Sequence, residues 1–382
     1  MSIDLSHISV ADDHCHGIYR TQGPMDIKEW RQHFTESHDS SMRETHVATT
    51  LFYHHIVQAL ASFFDCEPAE ETVLNARNQL SAEQLISTLL RDANLAALFV
   101  DKGYPSADSV LPDATLSYLA NCRVAPMLRV ELVMQDLIAQ HSTLDDVIEA
   151  LKTALQDVRG QGYVALKSIA AYRTGLAIRR WERDDVLASF AEARREVEAK
   201  GSVRLAHKPL LDTLLFTVFD AAAMQELPIQ FHTGYGDADA DMLLANPLHL
   251  RTVFETPSYR SMPIVLLHES YPYTRQGAYL ATVYENAYLD ISYAIPFLGY
   301  SEMLNFTRAA LSVAPYSKLL YASDGVGIPE LHWYSAHTGR RIIAQVLEEC
   351  VADGDLRNGD VEDVASAILR DNALRLYSIE DA

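Results

Sequence analysis

Asp13-His14-Cys15-His16-Gly17 is the stretch whose residue types and spacing first suggest chemistry. It closes a short apolar-leaning run, Ile8-Ser9-Val10-Ala11. Along an extended strand, residues i and i+2 share a face. His14 and His16 therefore project together and Cys15 turns to the opposite side. Two imidazoles on one face make a grip for a divalent cation, because neutral ring nitrogens suit Zn and other first-row metals. Alone the pair is a weak signal, since with 15 histidines in the chain a chance His-x-His in the surface or core is the ordinary reading.

Four further residues lift the pattern above that level. Lys167, His232, His268 and Asp324 stand at or near the C-terminal ends of the runs 162–169, 227–231, 263–267 and 318–322. Three or four histidines with one carboxylate suit Zn, and equally Mn, Fe or Ni, because these ligands discriminate poorly among first-row ions. Such an ion brings a bound water to hydroxide near neutral pH. Asp324 could ligate the ion and also take the water's proton. Lys167 is the odd member: beside a cation it must be neutral, displaced or carbamylated, and the last form is a bridging carboxylate.

These residues need a scaffold that gathers strand ends. Besides the runs named above, three more occur at 95–100, 123–130 and 287–291, so the chain holds eight in all. Helical stretches lie between them, at 143–158, in two segments over 181–224, and at 335–351 and 361–376. Strands alternating with helices argue for a parallel sheet, and eight such units close into a (β/α)8 TIM barrel. A doubly wound open sheet is the runner-up, but no Gly-rich nucleotide loop follows any strand. In a barrel the six polar residues come from strands 1, 4, 5, 6 and 8 and share the C-terminal face, where active sites are built. The stretch from about 24 to 90 reads as a helical insertion after strand 1, rich in His and aromatics. His54 and His55 there are lid contacts or plain helix-surface residues. No linker divides the chain, so residues 1–382 read as one domain.

Composition narrows the class. The 382 residues are 48% hydrophobic and 22% charged, ordinary for a globular protein with a sizeable core. The net charge of −21, from 31 Lys+Arg against 52 Asp+Glu, disfavours nucleic acid or an anionic membrane as partner. Four scattered cysteines form no C-x-x-C, which fits a reducing cytoplasm. No leader-like start and no apolar run long enough for a membrane span is present. A homo-oligomer stays open, dimers being common in general.

The set His-x-His, Lys, His, His, Asp after strands 1, 4, 5, 6 and 8 resembles the amidohydrolase superfamily, over nearly the whole chain. The words A-L-K-S-I-A-A-Y-R-T-G-L (165–176), F-H-T-G-Y-G-D (231–237) and L-L-H-E-S-Y-P-Y (266–273) are similar to one branch of it. Its members occur as free enzymes and as the N-terminal half of proteins fused to a glutamine-synthetase-like domain. The ending D-N-A-L-R-L-Y (371–377) also resembles the family's closing helix. The resemblance implies a (β/α)8 barrel and hydrolysis of an amide, with a γ-glutamyl or similar amino-acid amide as substrate. It implies that His14, His16, His232 and Asp324 bind the catalytic metal, and that His268 is a second-site ligand or orients substrate. Lys167 would be a bridging carbamate with two ions, or unmodified with one.

Residues just past the strand ends should hold the substrate. The planar fork of Arg173 suits a carboxylate. Glu131 suits an ammonium, unless it pairs with Arg129. Tyr172, Tyr235, Glu269, Tyr271 and Trp333 are further lining candidates. For each, a supporting salt bridge or loop packing is the plain alternative. Together they describe a small polar, carboxylate-bearing substrate. Two rivals remain to C–N hydrolysis: a metal-dependent decarboxylase on the same barrel, and a non-catalytic metal-binding scaffold. The intact ligand set argues against the scaffold.

Overall fold

In the computed structural model, which describes residues 3–379, all eight apolar runs are strands. They are β1 (Val10–His16), β2 (Leu95–Asp101), β3 (Arg123–Arg129), β4 (Ala165–Ser168), β5 (Ile229–Phe231), β6 (Ile264–Leu266), β7 (Ala287–Ser292) and β8 (Leu319–Ala322). They form one sheet in the order β1 to β8, with the parallel pairing of a (β/α)8 barrel. Their brevity follows from burial on both faces: β4, β5, β6 and β8 are buried at every position. Such strands read as short continuous apolar runs rather than alternating ones.

Two compact units can be distinguished, 1–125 with 290–382, and 126–289. Within the first, β1 and β2 pair in parallel with a register shift between Asp12 and Cys15. Where β1 and β8 end, Asp324 N donates to His14 O at 3.0 Å and His16 N to Gly325 O at 2.8 Å. The insertion is helical as expected, with longer helices at Leu51–Phe63, Glu70–Asn78 and Ala82–Asp92. Thr50 caps the first of these by accepting from Tyr53 N, and Ser81 with Gln84 forms a capping box on the third. Phe52, Ile56 and Leu60 recur every four residues and are buried, each contributing about 1.5–3 kcal/mol. The enclosed Arg77 Nε donates to Glu330 Oε1 at 2.6 Å, tying the insertion to the helix Pro329–Asp353.

Within the second unit, ladders run from Met127 and Ala165 through Leu166 and Ile229 to Ile264 and Ala287. The helices Leu144–Ala154, Arg183–Lys200 and Lys208–Met224 lie where the sequence expects them. Arg183–Lys200 stops at Gly201, whose φ of +76° is the left-handed cap that glycine adopts without strain.

Three boundaries differ from expectation. Val130–Gln140 is helical and follows β3 without a break, so no turn residue announces it. The helix expected from Ser335 begins at Pro329, because proline fits the first turn, where its missing N–H is not needed. The closing helix is interrupted by a wider turn at Ala367–Asp371. Just beyond that turn, Asn372 Nδ2 donates to Tyr316 O and Leu319 O, anchoring the chain below β8. Among the described residues no helix is long and apolar enough to cross a membrane.

Candidate active site

The strand spacing of β1 produces the arrangement expected of it. Cys15 is fully buried and its Sγ donates to Phe99 O at 3.5 Å. The rings of His14 and His16 stand edge to face with centroids 5.1 Å apart. Both present Nε2 to one carboxylate oxygen: Asp324 Oδ1 lies 3.6 Å from His14 and 3.5 Å from His16. Asp324 reaches that position with φ +54°, a left-handed backbone that costs a non-glycine residue roughly 1 kcal/mol or more. Nitrogen and oxygen ligands about 2.1 Å from a common ion sit about 3.0–3.4 Å from each other. The donor chemistry and the spacing of His14, His16 and Asp324 therefore fit a divalent metal.

Asp101, at the end of β2, also fits. Its carboxylate groups with His14 and His16 as a candidate ligand set, and it is buried and aligned with His16 in the ladder. Sequence reasoning passed over it, although it obeys the same rule of standing at a strand end.

The second unit assembles its own polar cluster. His232 follows β5 and His268 follows β6. His268 Nε2 lies 3.0 Å from His232 Nδ1, while His232 Nε2 is 2.5 Å from Tyr235 O. If His232 donates through Nε2 to that carbonyl, its Nδ1 is the acceptor towards His268. Tyr172 and Tyr235 flank the pair, with ring centroids 4.3 and 6.2 Å from His232. Three consecutive residues, His268, Glu269 and Ser270, have φ of +62°, +40° and +55°. Strain of this density is found where function fixes the backbone. The turn is braced by Thr233, whose Oγ1 donates to Leu267 O at 2.6 Å and lies 2.9 Å from Ser270 Oγ. Gly234 is required beside it: at φ +74°, a Cβ there would meet Tyr271 O at 2.2 Å.

Lys167 is buried on β4, opposite Arg129 on β3 and Gln230 on β5. Glu131 is fully enclosed, and its Oε1 accepts from Ser168 Oγ at 2.6 Å and Ile169 N at 3.0 Å. It thereby fixes the turn that follows Lys167. Burial pushes its carboxyl pKa up, with the Ser168 hydrogen bond opposing. Arg173 is half-buried, and its Nε has no hydrogen-bond partner among the described residues. Burial, then Arg204, pulls its pKa below the usual guanidinium value.

Trp333 has its described partners within the first unit. Its Nε1 donates to Asp92 at 2.7 Å and its ring packs on Phe63 and His337. In the insertion, His55 Nδ1 lies 2.7 Å from the Tyr334 hydroxyl, and His54 is exposed.

A family model described as amidohydrolase matches residues 144–379. The chain belongs to the amidohydrolase superfamily. Protein fluG of Emericella nidulans is 34% identical over 226 residues, which is 57% of this chain and 26% of that protein, so the chain matches only about a quarter of that relative's length. A solved structure from Lactobacillus casei ATCC 334, assigned as a metal-dependent hydrolase, is 27% identical, with a TM-score of 0.87 over 99% of this chain and 98% of that one. Uronate isomerase of Thermotoga maritima shares the fold, with a TM-score of 0.67 at 14% identity over 97% of this chain and 95% of that one. Enzymes of this superfamily use divalent metals, and the described residues contain groups able to hold one.

Proposed function

We propose that the protein is a metal-dependent hydrolase of an amide C–N bond in a small, carboxylate-bearing substrate, with a γ-glutamyl or related amino-acid amide as the first candidate. The observation that carries this reading is the convergence of His14 and His16 on the Asp324 carboxylate. Family membership and the barrel add to it, because strand C-terminal ends are where such barrels build active sites.

His14, His16, Asp324 and, once its Nε2 leaves Tyr235 O, His232 are the proposed ligands, with His268 and Lys167 serving a second ion or the substrate. Zn is the expected metal, with Mn, Fe and Ni chemically allowed. When bound, the ion supplies Lewis acidity to the scissile carbonyl and makes a water acidic enough to attack near neutral pH. The protein's own residues do the rest. The carboxylate of Asp324 accepts the proton of the attacking water and returns it to the departing nitrogen. The imidazole of His268 orients the carbonyl. Arg173 receives the substrate carboxylate through its planar guanidinium, while Tyr172 and Tyr235 wall the space beside His232. Glu131 acts by holding the Ser168–Ile169 turn. Residues 1–382 are taken as one hydrolase domain with its helical insertion at about 24–90. All four cysteines are free, which agrees with a reducing cytoplasm.

The test is elemental analysis of the purified protein, joined to a screen of γ-glutamyl and N-acyl amides read by amine release. A stoichiometric divalent metal and amine release are expected. Release of carbon dioxide from carboxylic acids, without amine, would move the assignment to a decarboxylase. Absence of metal would remove the proposal.

A further inference from the structure

Beneath the β1 histidines lies a polar cluster that metal binding by His14, His16 and Asp324 does not itself require. Asp12, Ser323 and His332 are each 1% exposed or less. Enclosing a carboxyl group is costly unless its hydrogen bonds are made. Asp12 makes two of them to one residue: Ser323 N donates to Oδ1 at 2.7 Å and Ser323 Oγ to Oδ2 at 2.5 Å. Ser323 Oγ in turn accepts Gly325 N at 2.8 Å. Asp324 is thus pinned on both sides, by the residue before it and the residue after it. Its own N–H is held by His14 O.

The ring of His332 closes the cluster. A Cβ at Gly325 would meet that ring at 2.9 Å, so glycine is what lets the turn lie against it. His332 Nδ1 is 3.5 Å from Ser323 Oγ and 3.6 Å from Asp12 Oδ2, while its buried Nε2 has no hydrogen-bond partner among the described residues. The histidine faces the same two residues that fix the turn.

Without this bracing, the backbone of Asp324 would relax out of φ +54°, since the left-handed region is unfavourable for aspartate relative to the right-handed one. Relaxation would swing the carboxylate away from His14 and His16. We propose that Asp12 is a positioning residue: it clamps Ser323, and through that clamp holds the Asp324 carboxylate in the place where it meets the two imidazoles. This rests on the reading of Asp324 as a metal ligand. Asp12 touches neither substrate nor reacting atoms.

The test is a double-mutant cycle read as Zn2+ affinity, by competition with a chromogenic chelator, in wild type, Asp12→Asn, Asp324→Ala and the double variant. Asp12→Asn should weaken binding by about 10-fold or more, as changes behind a ligand generally do. In the Asp324→Ala background it should weaken binding no further, because the carboxylate it positions is gone. A structural role alone would cost the same factor in both backgrounds. Ser323→Ala should follow Asp12→Asn and carries the same prediction if that variant does not fold, whereas Ser323→Thr, which keeps the hydroxyl, should retain affinity near wild type. Equal losses in the two backgrounds, or wild-type affinity in Asp12→Asn and Ser323→Ala while Asp324→Ala is weakened, would overturn the clamp and leave the metal reading standing. Unchanged affinity in Asp324→Ala would end the metal reading, and the clamp with it.

Discussion

Asp324 is asked to do two things, and a substitution separates them from the fold. Asp324→Asn keeps the volume and one acceptor oxygen but removes the negative charge and the basicity. The carboxylate sits in a strained turn held by backbone bonds from Asp324 N and His16 N, which asparagine preserves. Asparagine also tolerates the left-handed region. Turnover should fall by at least about 10²-fold, the usual worth of a positioned base, with a thermal midpoint close to wild type. Activity within a few-fold of wild type would refute its role as proton acceptor. Glu131 calls for the opposite experiment. Its enclosed Oε1 accepts from both Ser168 Oγ and Ile169 N. Glu131→Ala leaves those donors unsatisfied and should lower stability by about 1–3 kcal/mol in urea titration, while Glu131→Gln, which retains an acceptor, should lose less. Equal losses for the two would show that packing, not hydrogen bonding, fixes its contribution. The sequence could show that Glu131 follows a strand. It could not show that the side chain turns back to bind the next strand's end, because that contact joins residues 37 positions apart.

At the scale of elements, legibility followed locality. Buried parallel strands announce themselves as short apolar runs, and the rule that polar residues at their ends do chemistry picked out His14, His16, Lys167, His232, His268 and Asp324. The same rule applied to Asp101, which ends β2. Asp12, Ser323 and His332 were out of reach, since their roles depend on a hydrogen bond spanning 311 positions. The partner of Trp333 was out of reach for a related reason: a helix pattern does not say which neighbour each face meets, and the Trp333 indole meets Asp92. The insertion offers a test of its own. Burial, then Arg77, lowers the pKa of His33 from 6.5 to about 4. The folded state therefore keeps His33 neutral where the unfolded chain takes up a proton. Its contribution is fully present above pH 6.5 and is lost as pH falls towards 4. Between pH 7 and 4.5, wild type should lose on the order of 2 kcal/mol more stability than His33→Gln, measured as urea midpoints at both pH values. Parallel losses would show that this imidazole does not set the acid sensitivity of the insertion.

For the molecule as a whole, the metal proposal carries a thermodynamic consequence that needs no substrate. An ion that binds the folded chain and not the unfolded one stabilises it by RT ln(1 + [L]/Kd), about 2.7 kcal/mol at a hundredfold excess over Kd. For a chain of this length, the entropy of unfolding converts that energy into a shift of roughly 3 °C. Stripping the protein with a chelator should lower the thermal midpoint by about that amount, and adding back Zn2+ should restore it in proportion to the logarithm of its free concentration. The proposed ligands include His14, His232 and Asp324, so variants of the histidines sharpen the test. If they serve one ion, His14→Ala and His232→Ala should each abolish most of the zinc-dependent shift, and combining them should remove little more. Were only one of the two to diminish the response, or were their effects to add as at independent sites, the ligands could not share one ion. The β1 pair with Asp324 would then have to be treated as a metal site separate from the His232–His268 pair.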